Sequence, residues 1–161
     1  MGTAAHDRGN SITSDTNGNV YVSGWTDGGL DGNNSEGSGD FFVVKYDSSG
    51  VKQWTRQMGT ADLDSAQGIT SDNSGNVYVT GPTHGNLDGS SQVGAGDIFV
   101  VKYDGSGVKQ WSMQFGSTAY ERAQVISIDT NEKIYVMGYT EGDLGGNGNA
   151  GSEDIFIMKL K

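Results

Sequence analysis

Carboxylates dominate the reactive side chains of this chain, with 15 aspartates and 5 glutamates among 161 residues. Two carboxylates held about 5–10 Å apart can hydrolyse a glycosidic bond, and Asp62 and Asp64 share one short stretch. Little else speaks for catalysis. The two histidines, His6 and His84, have different sequence surroundings, no GxSxG stretch accompanies the many serines, and cysteine is absent. Aspartate in a turn-rich chain is more simply a turn former, so a polysaccharide-active enzyme is kept as an alternative only.

Aspartate also suggests calcium, which takes six to eight oxygens, often from alternate positions around a glycine. The stretches DTNGN at 15–19 and LDGNN at 30–34 are pieces of such a loop, but neither completes the pattern D-x-[DN]-x-[DN]-G-x5-E. An Asx-type turn explains the first. The second, with Asp27 or Asp143 nearby, is a conceivable Ca2+ site, although the reading assigns no cofactor and no metal ligands. Asp40, Asp97 and Asp154 each precede an apolar run and are expected to cap backbone amides.

Recognition chemistry is better represented. Trp25, Pro82 and Tyr139 are spaced 57 residues apart, as are Asp27, His84 and Glu141. Residues of different kinds at one position of a constant frame suit binding: Trp25 and Tyr139 as apolar platforms, and Asp27, Asp31, His84, Asp88, Glu141 and Asp143 as polar contacts. An aromatic ring can stack on a sugar while carboxylates accept its hydroxyl hydrogen bonds.

The frame itself is a repeat. Tyr21, Tyr78 and Tyr135 lie 57 apart, and so do Asp40, Asp97 and Asp154, and Lys45, Lys102 and Lys159; Trp54 and Trp111 share the spacing. The single domain 1–161 divides into units 2–58, 59–115 and 116–161, the first two identical at 35 of 57 positions without a gap. In the second unit, GITSD and NVYVTG flank the turn NSG, a long Gly-rich loop leads to the near-continuous apolar DIFVVKYD, and GSG leads into the alternating VKQWSMQF. Short Asn/Ser/Gly turns join antiparallel strands, so each unit predicts four strands, a to d; the third lacks strand d and its tryptophan. No 3.6-residue apolar period of useful length predicts a helix. A four-stranded sheet repeated at this length is the sequence signature of a propeller blade, which hides its two apolar faces against neighbours. Within the b–c loop Thr26, Thr83 and Thr140 recur, as do glycines at 28, 85 and 142 and at 32, 89 and 146, with Leu30, Leu87 and Leu144 as plugs.

The sequences ITSDNSGNVYVTG and GDIFVVKYDGSGVKQW closely resemble the bacterial seven-bladed beta-propeller repeat, and the likeness covers essentially the whole chain. KYDSSGVKQW is similar to the tryptophan-docking motif of quinoprotein propellers. The resemblance implies Trp54 and Trp111 as structural locks between blades, a binding or structural module, and an exported or surface-attached bacterial protein. The segment MGTAAHDRGN does not read as a signal peptide, so any such signal is expected outside this sequence.

The expected fold is all-β, with about three blades. Propellers usually close with 4–8 blades, and three leave an apolar face at each end of the arc, as interfaces do. A homodimer closing a six-bladed ring is the preferred expectation, and a fragment of a larger surface protein the alternative. The b–c loops and d–a links, long and on one face, are where binding is expected. The preferred function is a non-catalytic scaffold presenting that face to a protein or glycan; a purely structural self-assembling unit is the second reading. A formal charge of −10 argues against nucleic acid and anionic membrane as partners, and no apolar run reaches the length of a membrane span.

Overall fold

The computed structural model describes residues 1–146 and 148–160. Asn147 and Lys161 lie outside the described residues, so the last position of the third unit does too. Among the described residues, eleven strands form three antiparallel sheets. The first runs β1 (Asp7–Ser14), β2 (Val20–Thr26), β3 (Asp40–Tyr46), β4 (Lys52–Met58). The second runs β5 (Gly68–Ser71), β6 (Val77–Thr83), β7 (Asp97–Tyr103), β8 (Lys109–Phe115). The third has β9 (Glu121–Ile128), β10 (Ile134–Thr140) and β11 (Asp154–Leu160). Among the described residues the helical content is two 3-10 turns, Leu30–Gly32 and Leu87–Gly89. These are the expected blades, three of strand order a-b-c-d, the last without d.

Strands β1 and β9 begin four residues earlier than β5 on the common frame, inside stretches expected to be links. Arg8 pairs with Trp25 and Arg122 with Tyr139, whereas the equivalent Ser65 faces Pro82. Proline has no N–H to offer the ladder, so only the Ser65 N–H to Pro82 carbonyl bond remains, at 3.2 Å. The same neighbourhood requires glycine: a Cβ on Gly81 would lie 1.9 Å from the Ser65 carbonyl oxygen.

One turn design serves every a–b and c–d connection. Asp15, Asp47, Asp72, Asp104 and Asp129 each accept, through Oδ1, the N–H groups two and four residues ahead at 2.8–3.0 Å. Their second oxygens take side chains from the following strand: Tyr21, Tyr78 and Tyr135 hydroxyls in the a–b turns, Gln53 and Gln110 amides in the c–d turns. The DTNGN stretch is therefore an Asx turn whose carboxylate is already occupied.

Blades pack face to face. Tyr21, Phe41 and Val43 of the first meet Ala66, Ile69, Val77, Val79, Phe99 and Val101 of the second in one buried cluster. Tyr78, Ile98 and Val100 of the second meet Ala123, Ile126, Val136 and Phe156 of the third in another. For DIFVVKY this burial is two-sided, which is why it carries no apolar/polar alternation; in DFFVVKY, Phe42 and Val44 are covered instead by Leu30, Val22 and Tyr46 of their own blade. Trp54 lies between Tyr21 and Tyr103, at 6.1 and 6.4 Å between ring centroids, and donates Nε1–H to the Gly105 carbonyl at 3.2 Å. Lys45 Nζ reaches the same carbonyl at 2.9 Å and Arg56 Nε the Gly107 carbonyl at 2.6 Å. Trp111 packs in the second cluster, 6.1 Å from Tyr78. Both tryptophans thus sit at blade junctions.

Candidate functional site

The b–c loops and d–a links form one ordered end of the arc. Asp64 N–H bonds the Gly39 carbonyl at 2.7 Å, and Glu121 N–H bonds the Gly96 carbonyl at 2.9 Å, so each b–c loop is stitched to the link entering the next blade. The links are latched by an acid at one frame position. Asp7, Asp64 and Glu121 accept the N–H of Thr3, Thr60 and Ser117, each at 2.6 Å, and the hydroxyls of the same three residues. Asp64 is fully buried; burial pushes its carboxyl above the ordinary value, and the Asp40 charge adds to this against the lowering pull of Thr83 and Thr60. Asp62, by contrast, is exposed, so this carboxylate pair does not line a common cleft.

Each LDG turn buries its leucine, Leu30 or Leu87, and holds its aspartate at positive φ, 53° for Asp31 and 52° for Asp88. Asp31 is taken by Lys52 at 2.6 Å and by the Thr55 hydroxyl at 2.5 Å, and Asp88 by Lys109 and Ser112. The hydrogen bond from the lysine, then that from the hydroxyl, holds each carboxyl below its ordinary range. Gln57 and Gln114 brace the same loops. Gln57 accepts from Leu30 N–H and donates to the Gly28 carbonyl and Asp40, and Gln114 does likewise with Leu87, Gly85 and Asp97. Asp40, Asp97 and Asp154 accept backbone N–H groups of Glu36, Val93 and Ala150, at 2.9, 3.0 and 2.6 Å.

Where the links converge, a hollow of about 270 Å³ opens among all three blades, lined by Arg8, Asn10 and Trp25 of the first, Leu63, Ser65, Gln67, Pro82 and His84 of the second, and Tyr120 and Arg122 of the third. Tyr120 is one of its aromatic lining residues. His84 lies 5.7 Å from it and Tyr139 6.1 Å, ring centroid to centroid. Burial raises the Tyr120 hydroxyl above its ordinary pKa, and Tyr139 adds to this against the lowering pull of the Arg122 guanidinium beside it. His84 Nδ1 is 2.9 Å from the Leu63 carbonyl, an acceptor only; Nδ1 therefore carries the proton and Nε2 is left for another partner.

The structure brings Trp25 and His84 together at this hollow, with Tyr139 behind Tyr120. Asp27 stands beside it, paired to His6 at 3.2 Å. Asp31 and Asp88 are elsewhere, engaged with the outer strands β4 and β8. Glu141 is exposed, and the Asp143 carboxylate accepts Gly148 N–H at 2.9 Å within its own loop. Among the described residues no three His, Asp or Glu side chains are grouped to hold a metal ion. Arg8, Asn10, Leu63, Ser65, Gln67, Tyr120 and Arg122 escaped the sequence reading. Their signal was present: Arg8, Ser65 and Arg122 share one frame position, and so do Leu63 and Tyr120.

A second, shallower hollow of about 570 Å³ lies at the outer edge, lined by Asp31, Lys52, Trp54 and Arg56. Its charged groups already serve one another or the main chain, as described above, whereas among the described residues Arg8 and Arg122 form no ion pair and Arg122 Nε is buried without a hydrogen-bond partner.

The family described as beta-propeller repeat (SBBP) matches at residues 2–31 and 53–88. A regulatory protein, FlaEY, of Caulobacter vibrioides is 31% identical over 137 residues, covering 78% of this chain and 14% of its own length. An uncharacterized WD repeat-containing protein of Acanthamoeba polyphaga mimivirus is 24% identical over 181 residues, covering 88% of this chain and 13% of its own length. The chain thus spans about one seventh of each of these relatives.

Proposed function

This chain is a beta-propeller repeat protein, a repeat-built binding or scaffold module, and from that premise we propose that it works without catalysis, offering its loop-rich end to a protein or glycan. One observation carries the reading: the hollow at that end draws a different side chain from equivalent positions of successive blades, over a frame that is otherwise constant. Trp25 at the hollow and Tyr139 behind Tyr120 supply amphipathic rings suited to a sugar face or a peptide. The regulatory relative accords with binding rather than turnover. On glycan and peptide arrays, ligands captured by the chain are expected to be lost at least tenfold when Trp25→Ala and Tyr139→Ala are combined. Full retention of every captured ligand by the double variant would place recognition elsewhere.

A second reading, self-association, is favoured by the two outermost blade faces. Ile155 and Ile157 are 82% and 74% exposed, whereas their equivalents Phe41, Ile98, Val43 and Val100 are fully buried against the following blade. On the opposite face Ile12 is 68% exposed, while Ile69 and Ile126, its equivalents, are 7% and 5% exposed against the preceding blade. One face is therefore the complement of the other by internal precedent, and head-to-tail pairing of two copies closes a six-bladed ring. Sedimentation of the chain is expected to give about 34 kDa, twice 16.9 kDa, and the Ile155→Asp, Ile157→Asp variant half of that. A stable monomer of the unaltered chain rules pairing out.

A further inference from the structure

Resting on the recognition reading above, we infer that the hollow takes a carboxylated sugar ring, a hexuronate unit, with its carboxylate received by Arg8 and Arg122. The charge balance makes this hollow unusual. The chain carries 20 acidic against 10 basic residues and only three arginines. Two of these arginines line one cavity whose lining contains no acid, and neither is ion-paired among the described residues. The third, Arg56, is spent on the Thr55, Ser106 and Gly107 carbonyls. Arg122 Nε–H is buried without an acceptor, so this guanidinium is not fully satisfied by the protein. Guanidinium recognises carboxylate as a planar fork.

The remaining lining suits a hydroxylated ring better than a plain acid. Asn10 donates Nδ2–H to the Ala66 carbonyl and Gln67 donates Nε2–H to Ser65 Oγ, which turns their amide oxygens to the role of acceptors for ligand hydroxyls. His84 Nε2 is a third acceptor. Trp25 and Tyr120 provide flat faces for the C–H side of a pyranose. The volume, about 270 Å³, lies just below the roughly 300 Å³ at which drug-sized sites begin, which fits one sugar unit and not an oligosaccharide. The net negative field opposes approach of a long polyanion. At about 0.15 M salt that field decays over about 8 Å, so a single carboxylate delivered into the hollow feels mainly the two guanidinium groups.

The test is titration of the unaltered chain with D-glucuronate, D-glucose and acetate in 0.15 M NaCl at pH 7, followed by calorimetry and by tryptophan emission. Trp25 is the one tryptophan in the hollow, while Trp54 and Trp111 report on the junctions. Glucuronate is expected to bind at least tenfold more tightly than either glucose or acetate. Arg122→Gln and the more exposed Arg8→Gln are each expected to reduce glucuronate affinity about tenfold and to leave glucose unchanged, with unaltered circular dichroism. Equal binding of glucose removes the anion requirement, equal binding of acetate removes the sugar, and wild-type affinity in Arg8→Gln removes the arginine role; each result overturns the assignment. If array ligands are lost in the Trp25, Tyr139 double variant while glucuronate fails to bind, the recognition face stands and the uronate assignment alone falls.

Discussion

Phe99→Ala is expected to cost about 3–5 kcal/mol, the range for emptying a fully packed aromatic site. That is a large part of the roughly 5–15 kcal/mol that holds a domain folded. Phe99 is fully buried, and its ring stacks on Phe41 of the preceding blade at 4.5 Å between centroids and 21° between planes. The cavity left behind would lie at the junction of two sheets, each pinned by its own ladder, so neither side can collapse freely into it. Urea unfolding should show the midpoint displaced at unchanged slope. A cost below about 1 kcal/mol would mean that the blades are not in dry contact, and the stacking of sheets would have to be withdrawn.

Asp72→Ala is the second large loss, about 3 kcal/mol, because it orphans several donors at once. Asp72 is 8% exposed and accepts from Ser74 N–H, Asn76 N–H, Asn76 Nδ2–H and the Tyr78 hydroxyl, the last of these itself buried in the second junction. Partial burial alone would raise the Asp72 carboxyl, but the hydrogen bonds from Asn76, Tyr78 and Ser74 outweigh it and hold the pKa below the ordinary 3.8; Asp15 behaves in the same way with Asn19, Tyr21 and Asn17. Stability from these groups is present above 3.8 and is lost as pH falls through their lower folded values. Asp64 has the opposite sign. Its folded pKa is raised, so its ionised form weighs against the fold at neutral pH, and that weight lifts as pH falls through the raised value and stops changing below 3.8. The urea midpoint should therefore rise on mild acidification and then fall below about pH 4. Asp64→Asn should abolish the rise and spare the fall.

Blades, strand order and turns were legible because they rest on local chemistry repeated three times. DNSGN must turn, DIFVVKY must be covered on both faces, and 57-residue spacing places each equivalent residue in an equivalent sheet. The junction role of Trp54 was implied by the family resemblance. The hollow was harder to read. Its residues come from strands a and b and the links of three blades, and no single stretch contains more than a few of them. Asp31 and Asp88 looked like ligand contacts because a carboxylate in a glycine loop is ambiguous until its neighbours are known; Lys52 and Lys109 stand 21 residues further along the chain. The early start of β1 and β9 was masked by the second unit, where Pro82 interrupts the ladder that the other two units continue.

Lys45, Trp54 and Arg56 grip the next blade through the main-chain oxygens of Gly105 and Gly107 rather than through its side chains. At those oxygens the coupling reads the shape of the receiving loop, so substitutions along that rim should be nearly silent provided the bend persists and Gly107, where a Cβ would lie 2.8 Å from the Trp54 ring, is kept. Modules fastened in this way at their outer rim depend on sequence identity mainly at the buried contacts between their sheets. Duplicating or deleting them should leave a seam competent where its buried contacts, such as Phe41 on Phe99, are kept, while the opposite end of the module diversifies.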